Sequence, residues 1–241
     1  MGGKSQCEYQ RNLIGAVLNS GKRYDRVFFL SGMDYPLWSN EKILDYLERN
    51  PHGELIMGMN LSDCKEPRKM QTRVRQYHYR DLPIRNQTMR RFLYAGLREL
   101  LDSLHIRKNN YVKIGNRKCK VYCGSSWWCL TGECLQYVYD TICNQKEYWN
   151  YFKTCLAPDE MLIQTIVFNS KYASNAILYE GDYPGLVGLT PLHYIEYDKE
   201  IHTYTDKDFE KLINSGKMFV RKLQTGVSDG LIRMIDDYRK R

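Results

Sequence analysis

Short apolar runs alternate along the chain with longer stretches whose apolar residues recur every three or four positions. That alternation predicts an ordered series of strands and helices. A helix is expected over about residues 5–19, stopped by Gly21, and the run Val27-Phe28-Phe29-Leu30 reads as a short buried strand. The loop Ser31-Gly32-Met33-Asp34-Tyr35-Pro36 follows, then Ser39 caps a helix carrying Ile43, Leu44 and Leu47 on one face and ended by Asn50-Pro51. Leu55-Ile56-Met57 is the next strand. Met89, Phe92, Leu93, Leu97, Leu100 and Leu101 fall at helical spacing, and Cys119 to Cys123 reads as a strand. Thr131 and Pro158 each open a helix, and Thr205 caps another that stops at Ser215-Gly216. A strand over Met218 to Leu223 and a C-terminal helix opened by Ser228 complete the series. Alternating strands and helices of this length predict an α/β sandwich. No internal repeat, low-complexity tract or linker divides it, so residues 1–241 are expected to form a single domain.

The stretch from Cys64 to Arg91 breaks the pattern. It is polar and basic, with Lys65, Arg68, Lys69, Arg73, Arg75, Arg80, Arg85, Arg90 and Arg91 interleaved with Tyr77, His78 and Tyr79. Long irregular segments in α/β enzymes often build the substrate site, and this one is expected to be irregular.

Composition narrows the classes. Hydrophobic residues are 43% and charged residues 27%, the proportions of a globular chain, and the formal charge of +8 favours an anionic partner. Twenty Tyr and four Trp supply flat faces suited to half-buried strands or to stacking on sugars and bases. No run approaches the roughly 18 apolar residues of a membrane span, and Met1-Gly2-Gly3-Lys4-Ser5-Gln6 has no apolar signal core. The chain is therefore expected in the cytosol, with peripheral contact to an inner membrane as an option. Eight Cys include five between Cys119 and Cys143, yet no Cys-x-x-Cys hook of a zinc site occurs, so buried reduced thiols are expected and no metal site. A nucleic-acid role rests on charge and aromatic interleaving alone, without a recognised motif, and is not expected.

Four segments, in this order, carry chemistry. They are Phe29-Leu30-Ser31-Gly32-Met33-Asp34-Tyr35-Pro36-Leu37-Trp38-Ser39-Asn40; Gly124-Ser125-Ser126-Trp127-Trp128-Cys129-Leu130-Thr131; Ala157-Pro158-Asp159-Glu160-Met161 through Gln164-Thr165; and Tyr204-Thr205-Asp206-Lys207-Asp208 running to Phe219-Val220-Arg221-Lys222-Leu223. Together they resemble the core-2/I-branching N-acetylglucosaminyltransferases, a family that also contains the peptide O-xylosyltransferases. The resemblance implies a GT-A-like mixed sheet flanked by helices. It also implies inverting transfer of N-acetylglucosamine or xylose from a UDP-sugar to a glycan acceptor hydroxyl, with neither cofactor nor metal. The chain's one Asp-x-Asp, Asp206-Lys207-Asp208, sits where a helix cap is expected.

Residue by residue, the resemblance makes Glu160 the base that takes the acceptor's proton, Pro158 placing both acids in a first helical turn. Without the family, Asp159 and Glu160 read as acids complementing a helix dipole. Lys222 matches a diphosphate-binding Lys, with Arg221 beside it as a helper or as a side chain of the opposite strand face. His193 stands where relatives carry a diphosphate-binding Arg, and a neutral imidazole supplies neither the permanent charge nor the donor fork. Asp34 is expected to organise the floor of the site or to make an Asx-type turn. Of Trp127 and Trp128, one is expected to pack inside and the other to stack on a sugar, and Lys69 and Arg73 fall where relatives bind the acceptor. Relatives carry further nucleotide-binding strands before the Ser-Gly-x-Asp-x-Pro loop. The chain reads as lacking them, with an apolar sheet edge exposed as a result. A catalytically inactive remnant binding glycans or anionic surfaces is the alternative.

Overall fold

The computed structural model describes residues 3–64, 68–81 and 84–240. In chain order the elements are α1 (Lys4–Leu18), β1 (Arg26–Phe29), β2 (Asp34–Pro36), α2 (Asn40–Arg49), β3 (Glu54–Asn60), α3 (Arg68–Arg75) and α4 (Gln87–Ser103). They continue with β4 (Tyr111–Ile114), β5 (Arg117–Lys120), β6 (Tyr122–Cys123), β7 (Trp128–Thr131), α5 (Gly132–Asn144), α6 (Lys146–Phe152) and α7 (Leu162–Phe168). The last are β8 (Ala176–Tyr179), α8 (Gly185–Gly188), β9 (His193–Ile195), α9 (Phe209–Ile213), β10 (Phe219–Arg221) and α10 (Asp229–Arg239).

The central sheet runs β1-β7-β3-β6, with β8 parallel to β3 and the other pairs antiparallel. Its core is filled by Ile56, Leu130, Leu135, Val138, Ile163 and Ile166, all essentially inaccessible. Every residue of α7 is buried, which explains a short helix without the usual polar face. Each such aliphatic side chain contributes about 1.5–3 kcal/mol of transfer free energy. A second sheet, β2-β10-β9, pairs β10 antiparallel to β2 and parallel to β9, and packs Val220, Leu37, Leu231 and Ile235 into its own cluster. This is the mixed α/β, GT-A-like arrangement that the sequence implied.

Local signals explain where elements begin and end. The Ser39 hydroxyl accepts from the Lys42 amide at 3.2 Å, and the Thr131 hydroxyl accepts from the Cys134 amide at 3.1 Å, both at helix N-caps. Thr205 and Asp208 form a reciprocal capping box, so the second acid of Asp206-Lys207-Asp208 caps a short helix. Gly21 takes φ 73° just after α1, as a helix stop requires.

Several expectations change. The basic stretch after Cys64 is not wholly irregular, since Arg68–Arg75 is helical. Tertiary ties explain it: the Leu156 amide donates to the Arg73 carbonyl at 3.1 Å. The strand expected over Cys119 to Cys123 splits at Val121 into β5, paired with β4, and β6, paired with β3. Pro158 opens only a single 3-10 turn, Pro158–Glu160, before α7 begins. The thiols are free, but Cys143 is exposed rather than buried. The apolar stripe of α4 does not join the core, and none of that helix is buried. Among the described residues β1 forms an outer edge of the central sheet, paired only with β7, and its Val27 and Phe29 are half-buried against the core.

Candidate active site

The second sheet gathers one group of charges. β10 and β2 put Arg221 opposite Asp34, and β10 and β9 put Phe219 opposite His193. Residues two apart on a strand share a face, so Asp34, Arg221, Phe219 and His193 lie together. Asp34 is almost fully buried; Arg221 Nη1 donates to its Oδ1 at 2.8 Å, and the Ser31 amide donates to its Oδ2 at 2.7 Å. His193 Nε2 lies 3.1 Å from the same Oδ2, and Arg221 also donates to the Ser31 hydroxyl. Burial pushes the Asp34 carboxyl up, but His193, the Ser31 amide and Arg221 together outweigh it and hold the group below its ordinary value. Asp34 therefore both makes the local turn and anchors the Arg221 guanidinium, with the His193 ring beside it. Trp127 covers them: the Arg221 guanidinium carbon is 4.6 Å from its ring centre, and the His193 ring is 5.3 Å away.

A second group forms around the 3-10 turn. Ala157, buried, holds the left-handed conformation at φ 51°, ψ 61°, and the turn after it presents Glu160. A non-glycine residue in that region is strained, and such strain gathers at functional sites. Arg73 of α3, itself buried, makes an ion pair with Glu160. Burial raises the Glu160 carboxyl above its ordinary value, and Arg73 offsets only part of that rise. Arg73 Nε and Asp159 Oδ1 are buried without a hydrogen-bond partner, so the polar groups here are not saturated.

The segment from Gly124 to Trp127 joins the two groups. The Gly124 amide donates to the Glu160 carbonyl at 2.9 Å, the Ser126 hydroxyl donates to Asp159 Oδ2 at 2.9 Å, and Trp127 lies over Arg221. Buried Gln164 donates through Nε2 to the Ser125 carbonyl at 2.5 Å. A Cβ on Gly124 would sit 2.0 Å from the Met57 carbonyl oxygen of β3, so no other residue allows this approach.

A cavity of about 340 Å³ opens at the C-terminal ends of parallel β3 and β8, where α/β proteins place ligands. Tyr122 and Tyr179 supply flat walls, and Asn60, Asp63 and Glu180 supply polar ones. Tyr183, next to the lining residue Asp182, is close enough to feel the charges of Arg73 and Glu160. Aromatic faces with carboxylates and an amide suit a sugar's alternating C–H and O–H surfaces.

The model of the Core-2/I-branching enzyme family matches residues 1–212. The chain belongs to the core-2/I-branching enzyme family. That membership implies glycosyltransferase activity. No curated protein matches the chain. The match takes in Asp34, Trp127, Glu160 and His193, while Arg221 and Lys222 lie beyond it.

Each residue singled out in the sequence now has a place. Trp128 is the tryptophan that packs inside: it is buried and stacks on Phe29 with ring centres 5.1 Å apart. Trp127 is partly exposed above Arg221. His193 is 2% exposed and enclosed by Trp127, Phe219 and Asp34. Lys222 is partly exposed, with Nζ 3.9 Å from the exposed Glu200. Arg73 meets Glu160, while the Lys69 side chain lies outside the described residues. Among the described residues no group of three His, Cys, Asp or Glu is arranged to hold a metal, and no helix is long and apolar enough to cross a membrane. Sequence reasoning missed the Arg73–Glu160 pairing, because 87 residues separate the partners and no local pattern links them. It also left Gln164 without a role, although Gln164 stands in the third quoted segment.

Proposed function

We propose that this core-2/I-branching enzyme is an inverting transferase that moves N-acetylglucosamine or xylose from a UDP-sugar to a hydroxyl of a glycan acceptor, without a metal. Glu160 accepts the acceptor's proton as the hydroxyl oxygen attacks the anomeric carbon. The bond to UDP breaks on the opposite face, and UDP leaves with the electron pair. The observation that carries this reading is Glu160 itself, a largely covered carboxylate whose basicity burial raises and which Arg73 holds in place. Lys222 neutralises the leaving diphosphate, Arg221 and His193 fix the adjoining floor through Asp34, and Trp127 faces the donor sugar. The cavity lined by Tyr122, Tyr179 and Glu180 holds the acceptor, and Arg73 orients both base and acceptor.

Calorimetric titration with UDP, in buffer with and without EDTA, tests the donor half. Saturable binding unchanged by the chelator is expected, and a folded chain that ignores UDP would overturn it. One observation favours a second reading, a remnant that binds glycans without transfer: Arg221 is committed to Asp34 and His193 is enclosed beside it, which leaves Lys222 as the least encumbered of the three proposed donor-binding residues. Glycan binding without UDP binding would select that reading.

A further inference from the structure

Helix α4 is built backwards for a globular protein. At about 100° per residue, Met89, Phe92, Leu93, Gly96, Leu100 and Leu104 share an arc of roughly 120° on one side. That side faces solvent: Phe92 is 79% exposed, and Met89, Leu93, Leu100 and Leu104 are exposed with it. The helix is held instead by another side. The Tyr94 hydroxyl lies 2.7 Å from His78 Nδ1, Gln76 donates to Asp102 at 3.0 Å, and Leu97 and Leu101 are only half-covered. A stripe of this size left in water is an interaction surface.

Charge says what covers it. From residue 85 to 107 the chain carries Arg85, Arg90, Arg91, Arg98 and Arg107 against Glu99 and Asp102, an excess of three positive charges. Asp102 is further tied to Gln76 and Arg107. Two copies meeting stripe to stripe would bring two such arginine sets together. An anionic lipid surface answers both features, taking the apolar stripe into the acyl boundary and the arginine that flanks it, Arg90, against its headgroups, while the remaining excess adds long-range attraction. We infer that α4 is an interfacial helix that docks this enzyme on an anionic membrane surface. The inference stands apart from the assignment of Glu160, because no residue of the stripe belongs to the active site.

Flotation of the full chain with vesicles tests it, using equal parts phosphatidylglycerol and phosphatidylcholine against phosphatidylcholine alone. Binding at least tenfold tighter to the anionic vesicles is expected, and it should weaken as salt is added. Phe92→Ser with Leu93→Ser, both exposed and therefore harmless to the core, should reduce binding tenfold or more. Arg85→Gln with Arg90→Gln should reduce it and flatten its salt dependence, while UDP binding stays as in the unmodified chain. Equal binding to neutral vesicles, no binding to either, or full binding by the Phe92/Leu93 variant would each overturn the proposal. So would a dimer in sedimentation equilibrium that this variant dissociates without any change in vesicle binding; the stripe would then join two copies of the chain.

Discussion

Asp34 and Glu160 are both largely covered carboxylates facing an arginine, yet their surroundings push them in opposite directions. Asp34 receives Arg221, the Ser31 amide and the nearby His193, and these together overcome burial and keep it an anion. Among the described residues Glu160 has Arg73 as its one side-chain partner, and burial prevails. A carboxylate with its acceptor sites occupied is a structural pin. One left short of partners keeps its appetite for a proton, which is what a base needs. Two acids whose environments drive them apart mark a division of labour between scaffold and chemistry.

The largest effect belongs to Glu160→Gln. The amide still accepts a hydrogen bond from Arg73 but cannot take a proton, so transfer should fall by about 10²–10⁴-fold, the usual worth of general-base catalysis. Initial rates with a UDP-sugar, alongside circular dichroism for folding, read the outcome. Near-normal transfer would remove Glu160 from the role of base. Asp34→Asn should act on stability instead. It leaves the buried Arg221 cation facing a neutral amide, and breaking a buried pair in this way costs about 3–5 kcal/mol. The urea midpoint measures it, and a variant as stable as the parent would show that the Asp34 charge is dispensable to the floor.

How much of this was legible beforehand follows the range of the interactions. Caps at Ser39 and Thr131, the stop at Gly21 and the capping box at Thr205 are local, and the chain states them within four residues. Glu160 and Asp34 were visible because their neighbours form ordered segments. Their opposite environments were not, since Arg73 and Arg221 reach them from 87 and 187 residues away. The periodicity of α4 predicted a helix, which is there, but left open where its stripe points, because periodicity reports an apolar face without saying what it faces. The two tryptophans were separable only with the strand in hand: Trp128 starts β7 and turns inward, while Trp127 precedes it over Arg221.

A finer test moves the base without removing it. Arg73 holds the Glu160 carboxyl lower than burial alone would. Arg73→Gln should therefore shift the acidic limb of the kcat/KM profile to higher pH, with activity recovering as pH rises. A limb that stays put while activity falls would make Arg73 a binder of acceptor only. Lys222→Ala should weaken UDP binding about tenfold, or 1.4 kcal/mol. It should leave stability nearly untouched, because the contact to exposed Glu200 is a surface pair worth about 0–1 kcal/mol. An unchanged UDP affinity would return Lys222 to the role of a surface charge.

The smallest effect is also the most direct reading of the comparison. Asp34 has a folded pKa below its ordinary 3.8, so it contributes stability above that value, which is lost as pH falls through the lowered one. Glu160 has a folded pKa above its ordinary 4.5, so the folded state holds its proton more tightly. Its contribution is present below 4.5 and is lost as pH rises through the raised value. Urea midpoints of the two variants across this range should therefore diverge from the parent in opposite windows. Glu160→Gln should flatten the decline above pH 4.5, and Asp34→Asn should flatten the acid-side loss below pH 3.8. If both variants flattened the same window, the two carboxylates would be titrating as one network through the Gly124 to Trp127 segment, and the separation of pin from base would fail.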